Sequence, residues 1–281
     1  MNYEEYAEMT DCLNSYWTES CNSALRVKLG NVRDNTLTSI SLTQDTPCLL
    51  CAGTASSGKT VFMEFLLTNL IRRFSPNRLE IVGITYDQTD LIGNDEYRFW
   101  RAKHVKYIRR PDEIDALIYA LVDLREEILD RVNLVTQLGF KNVMEFNEHS
   151  EIPMPRRVIF LNEIVGIIND APEDKRNLAS SILANIFNKC GQAFCNIIMV
   201  TSSMTEDDIA MIGSRHYCVN LCLKAFAETS KAMLGTDLAI TIPEGTGYGY
   251  IKKGDQYELL TIPMVPSEVI NTTITDTIKC I

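Results

Sequence analysis

Apolar residues in this chain fall into two kinds of pattern. Short, mainly apolar runs at 47–52, 79–85, 158–161, 197–201 and 219–223 have the length of strands buried on both faces. Longer stretches keep a helical period instead. Residues 61–74 and 176–188 read as helices, and Pro111 opens a longer one with Asp112 and Glu113 in its first turn, where carboxylates suit the helix dipole. Ile114, Leu117, Ile118, Leu121, Leu124, Ile128, Val132 and Val135 share one face of that helix before Gly139 stops it.

A third pattern, strict alternation, marks the two ends. Residues 25–30 alternate apolar with basic, 31–35 carry turn chemistry, and 37–42 alternate again, which predicts a hairpin. Residues 247–265 alternate once more and suit late strands at one sheet edge, while 3–17 fit a short amphipathic helix. Alternating strands and helices predict an α/β fold with a mainly parallel central sheet flanked by helices, plus a short N-terminal extension and hairpin. The expected division is a helical extension over 1–24, one main domain over 25–265 and a tail over 266–281.

Composition narrows the class. No apolar stretch approaches the roughly 20 residues that cross a bilayer, and the acidic start Met1-Asn2-Tyr3-Glu4-Glu5 lacks the charged and apolar regions of a secretory signal. A cytoplasmic location is expected. There, the nine cysteines should act as small hydrophobes rather than disulfide partners. The net charge of −10 argues against a surface broadly committed to nucleic acid.

The strongest chemical signal is Gly53-Thr54-Ala55-Ser56-Ser57-Gly58-Lys59-Thr60. Its G-x-x-x-x-G-K-T spacing, set between a predicted strand and a predicted helix, lets successive backbone N–H groups wrap nucleotide phosphates. Lys59 reaches the terminal phosphates and Thr60 supplies a hydroxyl to Mg²⁺, so the expected ligand is ATP with Mg²⁺. Hydrolysis also needs an acidic strand end. The run Val158-Ile159-Phe160-Leu161-Asn162-Glu163 offers Glu163 as general base, with Asn162, an uncharged residue in the usual Asp place, reaching the metal through a bound water. Thr201 and Ser202, closing the 197–201 strand, are candidate sensors of the terminal phosphate.

Other features are open to two readings. Arg98, Arg101, Lys103 and Lys106 are interleaved with aromatics in an otherwise acidic chain, which fits contact with a polymer or an exposed edge strand guarded by charge. Cys48 and Cys51 have C-x-x-C spacing without a matching second pair, so core packing is expected. His104, His149 and His216 are dispersed and expected on the surface or in loops. Arg125, Glu126, Glu127 and Arg131 form a charged helix face to which no catalysis is assigned.

Taken together, Cys48 to Thr60, the stretch Leu138-Gly-Phe-Lys-Asn-Val-Met-Glu-Phe-Asn147 and the stretch Pro153 to Glu163 resemble the FtsK/SpoIIIE family of motor ATPases over about 25–265. Leu221-Cys-Leu-Lys-Ala225, Met233 to Ala239 and Gly247-Tyr-Gly-Tyr-Ile251 look most like its type VII secretion branch, the ATPase modules of EssC proteins. The resemblance implies a RecA-like P-loop core, ATP at subunit or module interfaces, and a homo-oligomeric ring or partner ATPase modules. It further implies a polymer substrate, DNA or a secreted protein, and a place peripheral to a membrane-anchored translocation complex. Three positions depart from the family pattern: Asn162, Ser202 where DNA pumps usually carry Gln, and Gly191 where many members carry Arg. A trans-acting arginine would then be Arg215 or come from a partner. The alternative is a module that binds nucleotide without hydrolysing it, acting as a regulatory or substrate-recognition platform.

Overall fold

The computed structural model describes residues 24–31, 37–86, 99–212, 218–253 and 256–279. The helix expected over 3–17 lies outside them, as do Arg98, Arg215 and His216. The strands are β1 (Leu25–Asn31), β2 (Leu37–Leu42), β3 (Cys48–Ala52), β4 (Leu79–Thr85), β5 (Val105–Arg109), β6 (Arg156–Asn162), β7 (Cys195–Thr201), β8 (Cys218–Leu223), β9 (Tyr248–Lys253) and β10 (Gln256–Thr261). The helices are α1 (Lys59–Arg73), α2 (Ile114–Gln137), α3 (Val143–His149), α4 (Ile164–Asn169), α5 (Glu173–Cys190), α6 (Glu206–Met211), α7 (Ala227–Leu234) and α8 (Ser267–Lys279).

The ten strands among the described residues join one sheet in the order β2-β1-β10-β9-β8-β3-β7-β6-β4-β5. From β8 through β5 the neighbours run parallel, and β9, β10, β1 and β2 continue the sheet antiparallel. The mainly apolar runs are explained by cover on both faces. Along β3, Leu49 and Cys51 pack with Phe62, Phe65 and Leu66 of α1, while Cys48, Leu50 and Ala52 pack with Ile186, Phe187 and Met233 on the other face. Cys48 and Cys51 therefore point to opposite faces, as residues three apart on a strand must, and cannot share a ligand.

Several expectations are corrected. The late strands β9 and β10 are interior rather than at the edge, because the N-terminal hairpin pairs outside them through β1 and leaves β2 outermost. Helix α2 begins at Ile114 with Glu113 as its extended N-cap, so Asp112 and Glu113 precede the first turn and Asp115 occupies it. Helix α3 begins within the 138–147 stretch and runs on to His149, and Asn142 caps it by accepting the Glu145 N–H at 2.8 Å. The segment expected as a tail contains α8, which buries Ile270, Thr273 and Ile274. The charged face of α2 also reaches inward: Arg157 at the start of β6 bridges Glu80 and Glu127 at 2.9 and 2.7 Å. That network clamps α2 to the strand ends opposite the glycine-rich loop.

His104 is the clearest reversal. It is buried, and its Nε2 sits 2.6 Å from the Phe74 carbonyl that ends α1. A ring that closes a helix end this way is packed inside rather than left on a loop. Burial pushes its pKa from 6.5 down to about 4, the bond to Phe74 opposing only in part. The folded chain thus holds the ring neutral, and its contribution is complete above the unfolded pKa and lost as pH falls towards the folded one. Between pH 7 and pH 5 this group alone is expected to cost about 2 kcal/mol of stability. Urea unfolding of wild type and His104→Gln at both pH values checks it, the variant showing the shallower pH dependence.

Candidate functional site

β3 ends at Ala52 and the chain passes through 53–58 into α1. The Gly53 N–H bonds the Thr201 carbonyl at 3.2 Å, and both the N–H and hydroxyl of Thr54 bond the Lys224 carbonyl at 2.8 and 3.1 Å. The loop is thereby tied to the ends of β7 and β8, the strands on either side. Close approach explains the glycines at two points. A Cβ on Gly53 would stand 2.5 Å from Ser57 Oγ and 2.8 Å from Leu223 Cβ, and Gly58 has φ 103°, in the left-handed region.

The cradle carries donors without acceptors. Ser57 Oγ is buried and has no hydrogen-bond partner among the described residues. α1 opens without a side-chain cap, so the free N–H groups and positive dipole end of a 15-residue helix face the loop. These features fit the phosphates of a nucleotide. Ala55 and Ser56 form the exposed tip of the loop, and Thr60, one residue into the helix, is also exposed.

Lys59 Nζ donates to the carbonyls of Gly53 at 2.8 Å and Thr54 at 3.1 Å, and lies 3.7 Å from Glu163 Oε1. Glu163 follows the last residue of β6, with β7 lying between β6 and β3. Its own φ of 53° is held by an N–H bond to the Val200 carbonyl at 2.9 Å. Ser202 donates its N–H to Glu163 Oε2 at 2.8 Å and its hydroxyl to Oε1 at 2.6 Å. Thr201 instead turns its hydroxyl to the Ser203 carbonyl at 3.0 Å. Asn162 is 1% exposed and donates its amide to Thr85 Oγ1 at 3.2 Å.

Lys59, Glu163 and Ser202 thus converge beside the loop, with Thr60 and Asn162 adjoining. Arg101, Lys103 and Lys106 do not join them. They lie around β5 at the far sheet edge, where Arg101 stacks 5.8 Å from the Trp100 ring and Lys106 stands 3.8 Å from Glu127. Gly191 packs its Cα side against the Gln44 carbonyl so closely that any side chain there would displace the 44–46 turn. An Arg cannot be seated on this backbone. The Lys224 carbonyl that anchors Thr54 and the Gly247 backbone against Gly58 were missed in the sequence, since main-chain contacts leave no side-chain signal.

Thiol chemistry is remote from this arrangement. Burial pushes the thiol pKa of Cys51 far up and that of Cys222 up to about 12, so neither is a reactive thiolate near neutrality. Among the described residues no group of three or more His, Cys, Asp or Glu is placed to hold a metal ion, and no helix is long and apolar enough to cross a membrane.

A glycine-rich loop between a central parallel strand and a helix, with an acidic strand end one strand away, defines a RecA-like P-loop fold. The profile of the FtsK/SpoIIIE family matches residues 9–210, and the chain belongs to that family. It is 21% identical over 253 residues to the DNA translocase FtsK of Streptococcus pneumoniae R6, covering 85% of this chain and 30% of that protein. FtsK of Streptococcus pyogenes serotype M1 is 22% identical over 242 residues, covering 82% of this chain and 28% of that one. The chain therefore spans less than a third of these relatives. Among solved structures, the cytoplasmic domain of the type VII secretion ATPase EccC of Thermomonospora curvata superposes with TM-score 0.75 at 19% identity, covering 93% of this chain and 32% of that one. The conjugation coupling protein TcpA of pCW3, with ATPγS, gives 0.71 at 18% identity, covering 94% and 72%. EssC ATPases 2 and 3 of Geobacillus thermodenitrificans give 0.66 at 14%, covering 94% and 50%.

Proposed function

We propose that this chain is an ATP-binding motor module that couples Mg–ATP binding and hydrolysis to the movement of a polymer. The observation carrying this reading is the approach of Glu163 to 3.7 Å from Lys59 across the end of β7, beside a phosphate-shaped loop. The N–H groups of 58–60 at the uncapped start of α1, the Ser57 hydroxyl and Lys59 would hold the phosphates, and Thr60 would hold Mg²⁺, with Asn162 reaching it through water. When bound there, Mg²⁺ would supply charge that offsets the negative charge developing on a transferred phosphoryl group. Glu163 accepts the proton of the attacking water.

Family membership and the translocase relatives support a polymer as the substrate, DNA or a secreted protein. They equally support action within a ring of copies or beside partner ATPase modules, on the cytoplasmic side of a membrane-anchored complex. The net charge of −10 favours a protein substrate, whereas Arg101 and Lys103 on the far edge suit DNA. A second reading, a platform that binds ATP without turning it over, is favoured by the uncharged Asn162.

Turnover measured with and without double-stranded DNA, alongside oligomeric state, separates these. Salt-sensitive stimulation by DNA in an oligomer is expected of a DNA motor, and stimulation by a secreted polypeptide alone of a secretion motor. Tight ATP binding with no turnover in any assembly state would overturn the motor in favour of the platform.

A further inference from the structure

Both oxygens of the Glu163 carboxylate are held by one residue. Ser202 bonds Oε2 through its N–H at 2.8 Å and Oε1 through its hydroxyl at 2.6 Å, and Oε1 also faces Lys59 Nζ at 3.7 Å. The backbone on each side is fixed, Glu163 by its N–H bond to Val200 and the turn after β7 by the bond from Thr201 to Ser203. In this arrangement the Ser202 hydroxyl is committed to the same carboxylate oxygen that faces the phosphate-binding lysine.

A serine hydroxyl has a single proton to donate, while carboxylate and phosphate oxygens only accept. We propose that Ser202 is a positioning residue whose hydroxyl proton goes either to Glu163 or to the third phosphate of a bound nucleoside triphosphate. Glu163 is clasped while the proton is on its side and let go when a third phosphate takes it. A diphosphate, which brings no third phosphate to Ser202, leaves the clasp shut. Electrostatics act in the same direction. The third phosphate draws Lys59 away from Oε1 and sets two anions facing each other in a partly enclosed site, which drives the carboxylate off. The released carboxylate gains the freedom to meet a water, so opening of the clasp and readiness for chemistry are one event.

This inference rests on the nucleotide reading above, and its test keeps the two apart. Affinities for ATPγS and ADP, each with Mg²⁺, are measured by calorimetric titration for wild type, Ser202→Ala, Glu163→Ala and the double variant, with Lys59→Ala as control. Removing Glu163 frees the Ser202 proton, so Glu163→Ala is expected to tighten ATPγS relative to ADP by about tenfold more when Ser202 is present than when it is alanine. Ser202→Thr, which keeps the hydroxyl, is expected to behave as wild type in the same cycle. Equal tightening in both serine and alanine backgrounds would overturn the shared proton while leaving nucleotide binding intact. ATPγS binding that is absent, or indifferent to Lys59→Ala, would overturn the nucleotide reading and this inference with it. Since Ser202 is exposed, its replacement leaves the core untouched, and unchanged ADP affinity serves as the check on folding.

Discussion

Lys59→Ala is expected to weaken binding of ATPγS by at least about a hundredfold while the chain stays folded. The ammonium rests on two neutral carbonyls of its own loop, those of Gly53 and Thr54, with Glu163 beyond hydrogen-bonding reach. A triphosphate replaces those acceptors with charged oxygens, and hydrogen bonds to charged groups contribute about 1.5–3 kcal/mol each. Two such contacts amount to about 3 kcal/mol, or about two powers of ten in affinity. The loss to folding is smaller, about 1 kcal/mol, the net worth of a typical intramolecular hydrogen bond. Calorimetric titration paired with thermal unfolding distinguishes the two effects. Undiminished binding would refute the phosphate role of the loop, and loss of the fold would make Lys59 a structural residue instead.

Asn162→Asp is expected to raise turnover about tenfold or more and, at the same time, to lower stability when Mg–ATP is withheld. The side chain is 1% exposed and donates to Thr85 Oγ1. An aspartate there loses that donor, although the threonine hydroxyl can reverse and donate in its place. The new charge stands next in sequence to Glu163 and is largely shut off from water, which costs about 1–3 kcal/mol. Mg²⁺ supplies the missing counter-charge, and a fixed anion beside it stabilises the transition state more than the ground state. The variant should therefore melt below wild type in EDTA and recover in Mg–ATP. Turnover unchanged by Asn162→Asp, yet abolished by Lys59→Ala, would show that the uncharged residue does not limit hydrolysis.

Much of this organisation is legible in the sequence because it is written in side chains with strong periodicity. The runs 47–52 and 197–200 are apolar without interruption because both faces of β3 and β7 are covered, and that pattern predicts a central parallel strand. The G-x-x-x-x-G-K-T spacing predicts its loop for a comparable reason, since each glycine meets a close neighbour or a left-handed turn. Long-range pairing is not local information. Nothing in 247–265 states that the hairpin of β1 and β2 would pair outside β10, so an interior pair reads like an edge. His104 reads as a loop residue because its partner is a backbone carbonyl 30 residues away. In the site, Lys59 and Glu163 are recognisable by residue type. Their meeting, and the clasp of Ser202 on Glu163, depend on β7 lying between β3 and β6, which only the sheet order supplies.

The most direct test is a crystal structure with Mg²⁺ and a non-hydrolysable ATP analogue. Phosphates wrapped by residues 53–60 are expected, with Lys59 lifted from the Gly53 and Thr54 carbonyls onto the terminal oxygens and Ser202 turned from Glu163 to the third phosphate. Nucleotide seated elsewhere, or bound while Lys59 keeps both loop carbonyls, would contradict the site described for this chain.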